Sequence, residues 1–311
     1  MRALISSPSQ YYNLLEFIAQ GIIKAEDITL IYFKKKNEFN YKFNYIDNEK
    51  FNKIFLVNQR EDDKLISKFF WYYNIIYHLF LYLMSFQLKL VSSQIWCRYH
   101  SVFAFFTPKK NIYSLDDGNA NLVAFTDGKS PYANSIKNLI NHFSLISLPF
   151  NNVINNNLLY LKDKSSKIKF NNDEYVIVGS PLISDNYLSK ASYVNKINYL
   201  IKKIPINSKI FYLPHRREIL EDLVEIKDII FIKSNGCFEL WVLTQSILPK
   251  NFISFGSGLS VVLNSMFGTD VNQYISKFNK NDFYKNHKNF NDYYKDIYEY
   301  YFKNIKNLKE L

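Results

Sequence analysis

The feature of this chain that most restricts its fold is an alternation. Short apolar runs recur between stretches of helical spacing along nearly the whole sequence. A short apolar run bounded by turn residues reads as a strand buried on both faces, and strands separated by helices make parallel sheets with helices outside. In the first half the runs fall at 2–7, 28–33, 53–57, 93–96 and 111–115, with helical patterns at 10–20 and 65–90. The alternation restarts at 175–178, 209–213, 229–232 and 252–255, and the tail from 271 to 311 reads as helical.

Between the halves, residues 150–172 are rich in Asn, Lys and Ser and hold no sustained period, so an inter-domain connection is expected there. A chain of 311 residues suits two domains. The expectation is therefore an α/β protein with Rossmann-like, doubly wound domains at 1–160 and 161–311, facing across a cleft. Ligands would sit at the carboxyl ends of the strands.

Composition narrows the partners. A formal charge of +11 favours anionic company: nucleotide phosphate, acidic sugars, or the inner leaflet of a membrane. Part of that charge goes with a general excess of Asn, Lys, Ile, Tyr and Phe, which AT-rich bacterial genomes encode heavily. Cys97 and Cys237 are too few for a disulfide framework or a zinc quartet, and a reducing cytoplasm fits them. The opening MRALISSPSQ has no apolar signal core, so a cytoplasmic chain is expected. Asn74, His78, Gln87 and Lys89 interrupt the apolar stretch 69–91, which reads as a buried helix first and an interfacial one second. No nucleic-acid-binding module is recognisable.

Chemistry is expected where the strands end. The run 111–115 leads into Asp116-Asp117-Gly118, and 209–213 into Pro214-His215-Arg216-Arg217-Glu218. The run 252–255 leads into Gly256-Ser257-Gly258-Leu259-Ser260. Asp116 and Asp117 could bind a metal or act as a general base, with Gly118 leaving room for a sugar; an ordinary turn explains the same residues. His215 is the one histidine of five that directly follows a strand, and a free pKa of about 6.5 suits proton transfer to a leaving phosphate. Arg216 and Arg217 could hold anionic oxygens or stand on a solvated helix start. His78 reads as a core residue, and His100, His142 and His287 as surface or packing residues.

Ser257, Gly258 and Ser260 precede a helical run at 259–267. Hydroxyls and N–H groups at a helix N-terminus form an anion site, and a structural cap fits equally. Ser6-Ser7-Pro8-Ser9-Gln10 repeats that arrangement near the start, which makes Ser7 and Gln10 pocket candidates. Glu239 opens another helical run and could take the two hydroxyls of a ribose or favour the helix dipole. There is no P-loop, GxGxxG, HExxH or CxxC pair, and no Asp-x-Asp for a metal-bound nucleoside diphosphate.

In this order the pieces resemble the bacterial sialyltransferases: the lipooligosaccharide sialyltransferases, the capsular polysialyltransferases and, more distantly, the multifunctional marine and Pasteurella-type enzymes. That family shares an acidic-acidic-Gly motif, a His-Pro motif and a later serine motif. Here the first reads Tyr113-Ser114-Leu115-Asp116-Asp117-Gly118, after a similar lead-in at 93–108. Leu4-Ile5-Ser6-Ser7-Pro8-Ser9-Gln10 is similar to the family's first strand and turn. Two positions depart: proline precedes His215 instead of following it, and Gly258 stands where the family has a second hydroxyl, leaving Ser260 or Ser254 to substitute.

The resemblance implies a GT-B fold with C-terminal helices packing back on the first domain. It implies metal-independent, inverting transfer of sialic acid from CMP-sialic acid to a lipooligosaccharide or capsular glycan ending in a galactoside or sialoside. Asp116 would be the base, and His215 would protonate or stabilise the departing phosphate. Glu239 would hold the ribose; Ser257, Gly258, Ser260 and Arg216 would attend the phosphate, with no cofactor. Two rivals stand beside this reading. One is a GT-B transferase of another CMP-nonulosonate, or of a UDP-sugar, which the Asp116 and His215 pair suits less well. The other is a non-catalytic, membrane-associated glycan-assembly protein whose basic aromatic tail, 274–309, lies on an anionic bilayer.

Overall fold

The computed structural model describes residues 1–34, 46–47, 49–58, 65–85, 88–95, 98–116, 135–146, 148, 150–233, 237–284, 298–305 and 307–311. They form two compact units, Met1–Leu161 and Lys162–Leu311.

The first unit is built on β1 (Arg2–Ile5), β2 (Thr29–Lys34), β3 (Lys53–Asn58), β4 (Leu90–Ser92), β5 (Ile112–Leu115), β6 (Asn141–Ser144) and β7 (Val153–Asn155). Their order is β3-β2-β1-β4-β5-β6-β7, and every pairing is parallel. Strand β1 is apolar beyond Arg2 because both of its faces are covered. On one, Leu4 joins Ile31, Phe33, Leu90 and Ile112 in a core with Phe103 and Ala104 of α3 (Arg98–Phe105). On the other lies α1 (Pro8–Ala19), whose Phe17 meets Tyr113 and Phe143 edge-on at 5.2 Å each. Burying side chains of this size contributes about 1.5–3 kcal/mol apiece. Ser7 starts α1 by accepting from the Gln10 N–H, and Pro8 supplies a preset φ in the first turn. After β3 the chain passes through α2 (Leu65–Ser85) and returns beside β1 as β4, so the strand order reverses between them.

The second unit repeats the plan with β8 (Lys169–Val178), β9 (Lys209–Leu213), β10 (Ile230–Phe231), β11 (Ile247–Ser254), β12 (Asn272–Ile275) and β13 (Leu308–Glu310). Again all pairings are parallel, in the order β10-β9-β8-β11-β12-β13. Helix α4 (Leu159–Ser165) precedes this sheet, and α5 (Lys190–Lys203), α6 (Phe238–Leu243) and α7 (Leu259–Phe267) connect its strands. Helix α5 buries Tyr193, Val194, Ile197 and Leu200, the spacing of one helical face. Pro249 falls where β11 shifts register against β8. Asn251 closes that bulge, its amide donating to the carbonyls of Asn172 (2.8 Å) and Glu174 (3.0 Å).

Several boundaries differ from the sequence reading. Residues 93–95 are not in a strand: β4 is Leu90–Ser92, and the helix read to 90 ends at Ser85. Apolar residues continue through helix and strand alike, so hydrophobicity marks no boundary between them. Strands β6 and β7 escape the pattern because Asn141, His142 and Asn155 break their apolar character. The tail read as helical supplies β12 and β13, and among its described residues 298–304 are α-helical. Strands of four and three residues are too short to show a period of two. His100 and His142 are both buried, paired respectively with the Ser92 hydroxyl and the Lys137 carbonyl at 2.7 Å. His287 lies outside the described residues.

Candidate active site

In the first unit the carboxyl ends of β1, β4, β5 and β6 carry Ser6, Gln94, Asp116 and Ser144. Asp116 follows β5 and is buried. Its Oδ1 accepts from the Ser144 hydroxyl at 2.7 Å and its Oδ2 from the Leu145 amide. Its carbonyl accepts from Asn13 of α1 at 2.8 Å. The carboxylate is thus held in one orientation by the neighbouring strand end. Asp117 and Gly118 lie outside the described residues.

Ser7 and Gln10 do structural work. Ser7 caps α1, and the wholly buried Gln10 accepts the Ser6 N–H at 2.7 Å. The Ser6 hydroxyl bridges on to Gln94 Oε1 at 3.0 Å, joining the two strands across which the order reverses.

In the second unit the turn after β9 presents His215. Its Nδ1 accepts the Arg217 N–H at 3.2 Å, so the neutral ring carries its hydrogen on Nε2. Burial, then Arg217 and Arg216, press the imidazole pKa down to about 3. At neutral pH the ring is uncharged and offers Nε2–H as a donor. Arg216 is near enough to act on Glu239 as well, and three candidates therefore share one neighbourhood. Burial raises the Glu239 pKa, while its own backbone N–H, the Cys237 thiol and Arg216 oppose the rise. Arg217 points elsewhere, to Asp185 at 2.8 Å.

At the end of β11, Gly256 takes φ 81, a conformation that favours glycine, and turns the chain into α7. Ser257 Oγ accepts from the Leu259 N–H at 3.3 Å and can still donate its hydroxyl hydrogen. Gly258 is the residue before the helix and has αR geometry. Ser260 is buried and pairs with Ser254 at 3.1 Å, so these two serines, the possible substitutes for the missing hydroxyl, are bonded to each other. Among the described residues no group of three or more His, Cys, Asp or Glu could hold a metal ion.

No protein-family model matches the chain, and no curated protein matches it in sequence. Solved structures do. The chain is similar to an alpha/beta-galactoside alpha-2,3-sialyltransferase from the luminous marine bacterium Photobacterium phosphoreum, with TM-score 0.54, 11% identity, and 99% of this chain and 97% of that one covered. It is also similar to the UDP-GlcNAc 2-epimerase of Methanocaldococcus jannaschii, with TM-score 0.52, 11% identity, and coverage of 88% and 82%. The fold is GT-B. Each of its two Rossmann-like units has a parallel sheet whose strand order reverses once, beside β1 in the first and beside β8 in the second. Ligand contacts in such sheets are expected at the reversal. In this GT-B chain the residues there are Ser6 and Gln94 in the first unit, and Gly179, Ser180, Gly256 and Ser257 in the second.

Sequence reasoning missed several of these groups. Ser144 was hidden because β6 was not recognised, and Asn13 because it lies mid-helix. Glu218, three residues after His215, carries no motif signal of its own. In the structure its carboxylate accepts from Tyr212 (2.7 Å), Tyr193 (2.9 Å) and the His215 backbone N–H (2.6 Å).

Proposed function

We propose that this chain is a glycosyltransferase that moves sialic acid from CMP-sialic acid to a cell-surface glycan, lipooligosaccharide or capsule, with inversion and without a metal ion. The observation that carries the reading is a pair of groups on strand ends: the held carboxylate of Asp116 in one Rossmann-like unit and the neutral imidazole of His215 in the other. The acceptor hydroxyl passes its proton to Asp116 as its oxygen attacks the anomeric carbon. The bond to the CMP phosphate breaks with oxocarbenium character, and attack opposite the leaving group inverts the centre. His215 donates from Nε2 to the departing phosphate, whose negative charge opposes the causes that keep the ring neutral. Arg216, Ser257 and backbone N–H groups can share a single phosphate, and Glu239 takes the ribose hydroxyls. Positioned donors of this kind stabilise charge where it develops.

Incubation with CMP-sialic acid and a panel of galactoside and sialoside acceptors tests this directly. Acceptor-dependent CMP release, unchanged by EDTA, is expected. Turnover of a UDP-sugar instead, or of a different CMP-nonulosonate, would replace the donor assignment.

As a further partner we propose the inner face of an anionic membrane, reached by a cytoplasmic chain. No helix among the described residues is long and apolar enough to cross a bilayer. Support comes from α2, which is amphipathic in reverse. Its Asn74 and His78 are buried, whereas Phe69, Tyr72, Ile76, Phe80 and Leu83 are exposed along one face. Residues 64–115 contain six Lys or Arg and no Asp or Glu, a charge that suits anionic lipid. The tail offers less, since Tyr274 and Lys309 are register partners on adjacent strands. Co-sedimentation with anionic but not neutral vesicles is expected, and Ile76→Asp should abolish it.

A further inference from the structure

The turn that carries His215 rests on an arrangement more costly than a turn requires. Glu218 N–H donates to the His215 carbonyl at 2.9 Å, while the Glu218 carboxylate accepts the His215 N–H at 2.6 Å. With Arg217 N–H on Nδ1, both backbone groups and one ring nitrogen of His215 are tied within the turn. An ordinary Ser, Asn or Asp could close such a turn at the surface. Here a glutamate reaches inward to two tyrosines instead.

Three elements converge on that carboxylate. Tyr212 comes from β9 and Tyr193 from α5, their hydroxyls 3.0 Å apart. Gly179 follows β8, and a Cβ there would stand 2.0 Å from Glu218 Oε2 and 2.8 Å from the Tyr212 hydroxyl. No side chain fits at 179 while Glu218 holds its place. The Tyr193 hydroxyl also accepts the Ser180 N–H at 2.9 Å, so the carboxyl end of β8 belongs to the same network. Burial pushes the Glu218 carboxyl up to about 7 against the pull of its donors. Carboxyl groups perturbed in this way cluster at functional sites.

We propose that Glu218 is the positioning residue of the phosphate-side histidine: braced by Tyr193 and Tyr212 against Gly179, its carboxylate sets the tautomer and direction of the His215 ring. The proposal rests on the reading of His215 as the partner of the leaving phosphate.

The test uses the full chain with ¹⁵N-labelled histidine, the His215 signals being identified by their loss in His215→Ala. Without ligand at pH 7, wild type should show His215 protonated on Nε2 alone. Glu218→Ala should give a mixture of tautomers, and Glu218→Gln, whose amide can meet both the hydroxyls and the amide N–H, should restore the wild-type pattern. Should the alanine variant not fold, Glu218→Asp is too short to span the site and should give the mixed pattern. With CMP-sialic acid, Glu218→Ala should lower kcat about 10–100-fold while KM for the donor changes far less. An unaltered His215 tautomer in Glu218→Ala or Glu218→Asp would overturn the proposal, whatever the donor. A shifted tautomer in a chain that releases no CMP would uphold the positioning role and remove the donor assignment.

Discussion

The Ser144 hydroxyl, at the end of β6, donates to Asp116 Oδ1, at the end of the adjacent β5, across 2.7 Å. Together with the Leu145 amide it fixes a carboxylate that has little freedom to turn away. Asp116→Asn should therefore fold and bind CMP, detected as a thermal shift, yet lose transfer by about 10²-fold or more, because an amide cannot take the acceptor proton. Ser144→Ala keeps the base and loosens it, so a smaller fall in kcat is expected. Transfer at the wild-type rate by Asp116→Asn would remove Asp116 from the base role.

Acid should destabilise the protein through its histidines. His78, buried beside Thr107 and under the charge of Arg2, is pressed to about 3, mainly by burial. The unfolded ring binds a proton below about pH 6.5 and the folded ring does not, so stability falls as pH falls from there towards 3. Unfolding free energies of His78→Gln from denaturant titration, compared with wild type at pH 7 and pH 5, should show a shallower decline by up to about 1.4 kcal/mol per pH unit. Parallel declines would contradict a neutral buried ring.

Glu218 works in the opposite direction. Its folded pKa of about 7 lies above the ordinary carboxyl value, so the folded state holds a proton that the unfolded state has released. Stability from this group is present at low pH and is lost as pH rises from about 4.5 to about 7. The stability of Glu218→Gln relative to wild type should accordingly increase over that interval and level off above it.

Gly179→Ala should be disproportionately harmful. The added methyl group meets the Glu218 carboxylate and the Tyr212 hydroxyl. Overpacking of this kind costs about 1–3 kcal/mol, and displacement of Glu218 should carry His215 with it. Pairing Gly179→Ala with Glu218→Ala removes the clash, so the double variant should be more stable than additivity allows. Strict additivity in urea unfolding would argue against the contact.

Glu16 gives a prediction remote from the site. This wholly buried carboxylate of α1 accepts the Tyr160 N–H at 2.8 Å and the Leu161 N–H at 2.7 Å, at the start of α4. Replacement by alanine leaves those amides without their acceptor, at about 1–3 kcal/mol. Glu16→Gln, which retains one acceptor, should recover part of that loss in thermal unfolding.

Much of the fold is legible in the chain. Strands β1, β2, β3, β5 and β9 show as apolar runs, and Ser7-Pro8 marks the start of α1. Alternating strands and helices imply parallel sheets, because a chain leaving a strand through a helix must return in the same direction. The positions of Asp116, His215 and Ser257 after strands followed from the same pattern. The short strands β6, β7, β12 and β13 and their long-range pairings are not legible, since they carry too few apolar residues to show a period. Their pairing energy comes from a neighbouring strand, not from their own composition.

The sequence by itself determined the class of fold and which residues emerge from strand ends, since both follow from local hydrophobic period and turn chemistry. Only the tertiary structure decided which of those residues have their hydrogen bonds already taken. Ser260 belongs to Ser254, Gln10 to Ser6, and Asp116 to a strand whose composition had not disclosed it. Glu218 found two tyrosines, 6 and 25 positions back along the chain, and a glycine that leaves it room. Such contacts depend on what neighbouring strands and helices bring within 3 Å, and no local pattern of residues records that distance.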